Sequence, residues 1–235
     1  MPDPVSSPTK SAGAPLGVLM LETRFPRVLG DIGNPASFDF PVRYAVVQGA
    51  SPARVVRERA AGLLAPFIEA ARGLVNQGCG AISTSCGFLA LFQRELQEAL
   101  PVPVAASSLL QVAPVQARLA PGQRVGIITV AAESLTADHL RGVGADPATP
   151  VAGVRRDGEF VRAIMGDLPE MDTDKLRVEV LEAGERLRQA HPEVAALVLE
   201  CTNMPPYADA LAQASGLPVY DILTLLRRLP RQSPA

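Results

Sequence analysis

The sequence predicts an α/β protein built around parallel β-strands. Short apolar runs bounded by glycine and proline alternate with longer stretches of helical periodicity, which is the pattern of a parallel sheet flanked by helices. The strand pattern also repeats loosely between the two halves of the chain. The 235 residues suit either one sizeable domain or two lobes of about 110 residues each.

Eight short apolar runs predict the strands of this fold. Each run is bounded by turn-forming residues and is too short to be a typical helix. In chain order they are Gly17–Glu22, Tyr44–Gln48, Gly80–Thr84, Val102–Ala105, Arg124–Val130, Pro150–Val154, Ala195–Glu200 and Val219–Tyr220.

Helices are expected between the strands, and two of them are clearly marked. From about Pro52 to Asn76 the apolar residues recur at helical spacing and form one stripe, which we assign to the core. A second helix, from about Thr173 to Gln189, carries charges on most of its faces and is expected to border solvent. We assign no function to the apolar stripe.

Composition excludes several classes of function. The net charge is -2 and no lysine- or arginine-rich run is present, so nucleic-acid binding is not expected. The apolar runs are far shorter than the roughly 20 residues needed to cross a bilayer, so no membrane span is expected. Residues 1–14 lack the apolar stretch of a signal peptide, and we interpret them as a flexible tail of a cytoplasmic protein.

The sequence predicts neither a cofactor nor a metal site. Its only lysines are Lys10, in the predicted tail, and Lys175, in a charged helix, which disfavours a pyridoxal phosphate Schiff base. Neither His139 nor His191 is near a cysteine or carboxylate at metal-ligand spacing. The nucleotide-binding and serine-hydrolase motifs are missing as well.

Two cysteines occupy matching places in the two halves of the chain. The first half runs from a strand into Cys86-Gly87-Phe88 and then an amphipathic helix, and the second runs from a strand into Cys201-Thr202-Asn203 and another helix. The cysteines are 115 residues apart, about half the chain. Ligands of open α/β sheets bind outside the carboxyl ends of the strands. Cys86 and Cys201 are therefore the candidate catalytic residues.

Two such cysteines suit proton transfer at carbon. A helix N-terminus lowers the pKa of a thiol towards neutrality, so one thiolate can remove an α-proton while the opposite thiol delivers another. The backbone N–H groups of Gly87, Phe88, Thr202 and Asn203 are placed to stabilise the carbanion. Side chains of Ser85, Thr202 and Asn203 can hydrogen-bond a carboxylate or an amide. A small molecule bearing one of these groups is the expected partner.

A cysteine, or a polar residue beside one, can also have a purely structural role. A free cysteine is usually a small buried apolar residue, and Cys79, at the start of a strand, is interpreted in that way. For Cys86 and Cys201 the matched context favours a functional role. Glu200, immediately before Cys201, is either a buried polar partner or a substrate contact.

On Ser85-Cys86-Gly87-Phe88 and Glu200-Cys201-Thr202-Asn203, the sequence resembles the aspartate/glutamate racemase superfamily, which includes hydantoin and allantoin racemases, maleate isomerases and arylmalonate decarboxylases. The resemblance spans Gly17 to about Leu229. It implies two Rossmann-like α/β lobes related by pseudo-two-fold symmetry, with the active site in the cleft between them and one cysteine from each lobe. We expect residues 15–107 and 205–235 to form lobe 1 and residues 108–204 to form lobe 2.

The resemblance implies an isomerase: a cofactor-independent racemase or epimerase of an amino acid or derivative, of the aspartate, glutamate or hydantoin type. A homodimer is common in such families. Two segments depart from the better-known members, which carry a Gly-rich or Asp-Ser turn after the first strand and His or Glu at the position of Asn203. After the first strand, Arg24 or Arg27 is a candidate clamp for a substrate carboxylate, and Asn34 is a further candidate contact.

Alternative functions remain open at the level of sequence. Within the superfamily they are cis–trans isomerisation or decarboxylation of a dicarboxylate, although two cysteines argue against the decarboxylase, which needs only one proton donor. A catalytically silent ligand-binding protein with the same cleft is a third alternative. A thiol redox protein is disfavoured because the six residues between Cys79 and Cys86 do not match a C-x-x-C motif.

Overall fold

A computed structural model describes residues 13–231, which form two four-stranded parallel sheets. The strand orders are β2-β1-β3-β4 and β6-β5-β7-β8, so the second sheet repeats the order of the first. The predicted α/β class is confirmed. Residues 1–12 of the predicted tail lie outside the described residues. The strands are β1 (Leu16–Leu21), β2 (Val42–Val47), β3 (Ala81–Thr84), β4 (Val104–Ala105), β5 (Arg124–Thr129), β6 (Val151–Gly153), β7 (Val194–Leu199) and β8 (Val219–Tyr220).

Each predicted strand overlaps an observed one, and the differences are confined to the ends. The largest are two residues long: β2 begins at Val42 rather than Tyr44, and β4 begins at Val104 rather than Val102. Pro103 lacks the N–H that a strand interior needs, which explains the late start of β4.

Helices connect the strands, and short 3-10 or π-helical segments follow several strand ends. The α-helices are α1 (Pro52–Val56), α2 (Leu64–Asn76), α3 (Gln93–Ala99), α4 (Val112–Gln116), α5 (Ala137–Gly142), α6 (Thr173–Ala190), α7 (Ala208–Ser215) and α8 (Ile222–Leu226). The 3-10 segments are Pro35–Ser37, Gly87–Phe92, Ser108–Gln111 and Pro205–Tyr207, and a π-helical segment covers Phe160–Met165.

The single helix predicted from Pro52 to Asn76 is wrong, because the chain forms α1 and α2 with a turn between them. Arg59 and Ala60 have φ angles of 55° and 53°, in the left-handed region that no right-handed helix can contain. Pro66 stands in the first turn of α2, where a missing N–H removes no intrahelical hydrogen bond. The apolar stripe masked this signal of a helix start. The helix predicted from Thr173 is confirmed as α6.

The first sheet is covered on both faces. All six residues of β1 are buried, as expected of a parallel strand with helices above and below. Leu16, Val18 and Met20 pack against the apolar side chains of α8. Leu19 and Leu21 belong to the larger core cluster with residues of α2.

The C-terminal segment differs from the predicted lobes in one respect. Strand β8 pairs with β7 in the second sheet, and α7 packs against α6, so residues 208–220 lie with the second sheet rather than with lobe 1. A strand–helix–strand crossover places the next parallel strand beside the last, just as β4 follows β3 in the first sheet. Helix α8 and the residues that follow it return to the first sheet. The other lobe boundaries stay a prediction.

Within residues 13–231, no helix has both the length and the apolar character required to cross a membrane.

Candidate active site between the two sheets

The two cysteines follow equivalent strand ends. The backbone N–H of Ser85 donates to the carbonyl of Leu19 at 2.9 Å, and that of Glu200 donates to the carbonyl of Ile128 at 2.8 Å. In each case the residue before the cysteine is tied to the central strand of its own sheet. Cys86 and Cys201 therefore leave their sheets in the same way, as the matched motifs predict.

Hydrogen bonds join these two strand ends to each other. The Thr202 hydroxyl donates to the carbonyl of Ser85 at 2.6 Å. The Ser108 hydroxyl, which follows β4, donates to the carbonyl of Leu199 at 2.5 Å. All of these groups are buried, so water does not compete with these bonds. They hold the carboxyl ends of β3 and β7 side by side.

Most of the predicted site residues meet in one narrow cavity at this junction. Both candidate catalytic residues, Cys86 and Cys201, line it. The predicted substrate contacts that also line it are Ser85, Gly87, Phe88, Thr202 and Asn203.

Arg24 and Asn34 are not brought to the cavity. The Arg24 side chain is 71% exposed and pairs with Asp167 at 3.3 Å. The Asn34 side chain accepts from the N–H of Ala36 and donates to the carbonyl of Arg27, both at 2.9 Å, so it caps the first 3-10 segment. Each side chain is therefore engaged by residues that do not line the cavity of the cysteines, apart from the backbone of Arg27.

Arg27 is the arginine that lines the cavity. Its guanidinium stacks 4.2 Å from the centre of the Phe25 ring. It also pairs with Asp31 at 3.1 Å and donates to the Thr23 hydroxyl at 2.7 Å. These contacts fix a largely buried positive charge in the cavity that both cysteines line.

The backbone N–H two residues after each cysteine lowers the pKa of its thiol, Phe88 acting on Cys86 and Asn203 on Cys201. The Cys201 thiol also donates to Asn203 Oδ1 at 3.5 Å, and within residues 13–231 the Cys86 thiol has no such side-chain acceptor. Asn203 Nδ2 in turn donates to Asp31 at 2.6 Å. The Asn203 side chain thus favours the thiol form of Cys201, whereas the Asn203 backbone N–H favours the thiolate.

The expectation that helix N-termini lower the cysteine pKa values is wrong for this cavity. Burial raises the pKa of Cys86 and of Cys201 above the usual value, and the nearby Glu200 carboxyl raises both further. The N–H bonds act in the opposite direction but are outweighed, because burial removes water from the charged form. Arg27 lowers the pKa of Cys86, whereas Asp31 raises that of Cys201.

Several lining residues were missed at the level of sequence. Ile164 and Met165 belong to the π-helical segment, which is held at its start by the Glu179 carboxylate, an acceptor for the N–H groups of Glu159 and Phe160. No sequence signal marked this segment.

Among residues 13–231, no three His, Cys, Asp or Glu side chains are grouped to hold a metal ion.

Solved structures share the fold of this chain. Glutamate racemase RacE1 from Bacillus anthracis matches with a TM-score of 0.57 and 17% identity, over 91% of this chain and 78% of the racemase. Unliganded arylmalonate decarboxylase matches with a TM-score of 0.55 and 17% identity, over 89% and 88% of the two chains. Aspartate racemase from Picrophilus torridus matches with a TM-score of 0.50 and 14% identity, over 88% of each chain. The resemblance to the aspartate/glutamate racemase superfamily is confirmed at the level of the fold.

Similarity to curated relatives identifies the family within this fold. A dimethylsulfoniopropionate lyase from Durusdinium sp. clade D is 30% identical over 221 residues, which cover 89% of this chain and 72% of the lyase. The chain belongs to the dimethylsulfoniopropionate lyase family. Two dimethylsulfoniopropionate lyases of Emiliania huxleyi (strain CCMP1516), numbers 7 and 6, are 30% and 31% identical over 220 residues, or 89% of this chain. The chain spans 64% and 57% of their lengths, somewhat less than two thirds. No protein-family model matches the chain.

The predicted racemase or isomerase activity is therefore wrong, because the curated relatives in this family are lyases. The alternative of a decarboxylase, which is also a lyase, fits these relatives better. The error has a chemical cause. Two acid–base groups around a carbon acid determine that a proton can be removed, but not whether the carbanion is reprotonated or expels a leaving group.

Proposed function

We propose that this protein is a lyase that eliminates dimethyl sulfide from dimethylsulfoniopropionate or a closely similar carboxylate. The observation that carries the proposal is the joint presence of Arg27 and the cysteine pair in one narrow cavity, in a chain related to such lyases. A substrate with a carboxylate, an acidic α-proton and a leaving group on the next carbon matches these groups.

The elimination requires one base and no water. The thiolate of Cys86 removes the proton from the carbon next to the carboxylate, and the electron pair forms a double bond to the neighbouring carbon. The carbon–sulfur bond breaks, dimethyl sulfide leaves as a neutral molecule, and acrylate remains. Arg27, paired with the carboxylate, stabilises the negative charge that builds up on it in the transition state.

Cys86 is better suited than Cys201 to be the base. Arg27 favours the thiolate of Cys86, whereas Asp31 disfavours that of Cys201. Asn203 Oδ1 accepts from the Cys201 thiol and stabilises its protonated form. Cys201 therefore stays a neutral thiol beside the substrate.

The apolar part of the cavity suits the leaving group. Val56, Val130 and Ile164 are among its lining residues. A sulfonium loses its positive charge as the carbon–sulfur bond breaks, so apolar walls favour the transition state over the bound substrate.

The proposal is tested by incubating the purified protein with dimethylsulfoniopropionate and measuring dimethyl sulfide by gas chromatography and acrylate by proton NMR. We expect the two products in equal amounts. Cys86→Ser is expected to lower the rate by about 10²- to 10⁴-fold, and Arg27→Met to raise KM. Cys79→Ala and Arg24→Met are the matched controls, since neither side chain lines the cavity.

Unequal products, or a Cys86→Ser variant as active as the parent, would contradict this assignment. The cytoplasmic location and the homodimer expected from the sequence stay predictions.

A further inference from the structure

Glu200 is a buried carboxyl beside both cysteines whose role the elimination does not explain. Its side chain is fully buried. Oε2 accepts a hydrogen bond from the Thr129 hydroxyl at 2.7 Å, whereas Oε1 has no partner among the described residues. A buried polar atom without a partner costs about 1–3 kcal/mol. A glutamine would fill this position without an ionisable group, so the carboxyl calls for an explanation.

The carboxyl of Glu200 reaches from the second sheet to the first. A β-carbon placed on Gly87 would lie 2.8 Å from Glu200 Cδ and closer still to Oε1. Oε1 is therefore aimed at the backbone that follows Cys86, on the opposite side of the junction from Cys201. At the equivalent place in the first sheet, the Ser85 hydroxyl accepts from the N–H of Leu21 at 2.8 Å.

The other groups around the carboxyl leave its charge without a close partner. Thr129 from β5 and Ser108 after β4 present hydroxyls, and only that of Thr129 reaches the carboxyl. Arg27, in the loop after β1, pairs with Asp31 and forms no ion pair with Glu200 among the described residues. Burial raises the pKa of Glu200 to about 8.

We propose that Glu200 is a positioning residue that controls the ionisation of the cysteine pair. The buried junction holds one negative charge, and Glu200 has to stay protonated for that charge to reside on Cys86. The inference rests on the proposed function in taking Cys86 as the base. It assigns Glu200 no contact with the substrate.

This arrangement predicts the direction in which the pH of thiolate formation shifts when Glu200 is replaced, and a purely structural role predicts no such shift. Removing the carboxyl removes the repulsion that opposes the thiolate, so thiolate formation moves to lower pH even if the fold and the cavity are unchanged. A residue that only fills space would change the stability or the rate without moving the titration.

The test is a titration of thiolate ultraviolet absorbance against pH in Glu200→Gln and in the parent. The corresponding proteins with Cys86→Ser and Cys201→Ser are subtracted from each. We expect the thiolate midpoint to fall by about one to three pH units in Glu200→Gln. The rising limb of the lyase rate against pH is expected to move in the same direction. The absorbance titration needs no substrate, so its result tests the role of Glu200 independently of the proposed lyase activity.

Thr129→Val is the second variant, and it decides the question if Glu200→Gln does not fold. The Thr129 hydroxyl favours the charged form of Glu200, so its loss keeps the carboxyl protonated and moves the midpoint down by a smaller amount. Asp221→Asn is the matched control: Asp221 is also a buried carboxyl with a raised pKa, but it caps α8 and does not line the cavity. The inference is overturned if the thiolate midpoint of Glu200→Gln equals that of the parent. If Glu200→Gln does not fold, the same outcome in Thr129→Val overturns it.

Discussion

The amide of Asn203 donates a hydrogen bond of 2.6 Å to Asp31, which lies 172 positions earlier in the chain. Because the amide nitrogen is committed to the carboxylate, the amide oxygen faces Cys201 and accepts from its thiol. Asp31 also pairs with Arg27. The loop after β1 therefore makes the two cysteines chemically unequal, although their strand ends are equivalent.

Replacing Asp31 by asparagine should reduce this inequality. The variant loses the charge that disfavours the Cys201 thiolate and leaves Asn203 free to rotate its amide. We expect kcat to fall by about tenfold, which corresponds to about 1.4 kcal/mol in the activation barrier. Steady-state kinetics measure it, with Asp146→Asn as the control because Asp146 forms an exposed pair with Arg124. An unchanged kcat in Asp31→Asn would show that Asn203 keeps its orientation without the carboxylate.

Gly87→Ala should be strongly disruptive. The added β-carbon would lie 2.8 Å from Glu200 Cδ and nearer to two oxygens of the same residue, in a buried junction that cannot expand. We expect a loss of about 1–3 kcal/mol in the free energy of unfolding, measured by urea denaturation. Gly73→Ala is the matched control, because open space surrounds its position in α2. There, the better helix former should stabilise the protein by about 0.5–1 kcal/mol. Equal stability of the two variants would refute the argument.

Asp167 links the two walls of the cavity. Its carboxylate accepts from the N–H groups of Arg24 at 2.5 Å and Phe25 at 3.4 Å, and it follows the π-helical segment that supplies Ile164 and Met165. Asp167→Ala should cost about 1–3 kcal/mol of stability through the unpaired donors. The looser wall should also raise KM more than it lowers kcat.

The measurements for Asp167 are urea denaturation, steady-state kinetics and trypsin cleavage after Arg24. Asp157→Ala serves as the control, since Asp157 pairs with Arg155 on the surface. If trypsin cleaves after Arg24 no faster in Asp167→Ala than in the parent, Asp167 does not hold the two cavity walls together.

His139 should make the fold sensitive to acid. It is fully buried against the Phe88 ring, with centroids 5.3 Å apart, and burial lowers its pKa to about 4. The unfolded chain binds a proton at this histidine below about pH 6.5, whereas the folded chain does not until about pH 4. Stability therefore falls as the pH falls from about 6.5 to 4, and this contribution levels off below that.

The acid sensitivity is measured by urea denaturation at pH 7 and pH 5. We expect a loss of about 1–2 kcal/mol that His139→Gln largely removes. The half-exposed His191 supplies the control variant His191→Gln, which should keep the full loss. If His139→Gln were as acid-sensitive as the parent, other groups would have to account for it.

The strands and the two cysteines were predictable from the sequence because their signals are local. An apolar run such as Ala81–Thr84 is a strand wherever helices cover both of its faces. A cysteine directly after such a run lies at the carboxyl edge of the sheet. The break between α1 and α2 was also local, at Gly62 and Pro66, but the apolar stripe concealed it.

The reaction was not predictable from the two motifs. Cys86 and Cys201 indicate that a proton can be removed from carbon. The same pair is compatible with reprotonation of the carbanion or with loss of a leaving group. Similarity to lyases over 89% of the chain corrected the expected racemase.

By itself, the sequence determined the α/β class, the superfamily fold and the two thiols of the candidate site, because periodicity and strand-end motifs lie in consecutive residues. The tertiary structure alone decided that Arg27 rather than Arg24 faces the thiols, that Asp31 orients Asn203, and that Glu200 is buried against Gly87. These contacts join residues far apart in the chain. Burial, which sets the pKa values of the thiols and of Glu200, exists only once both sheets have closed over them.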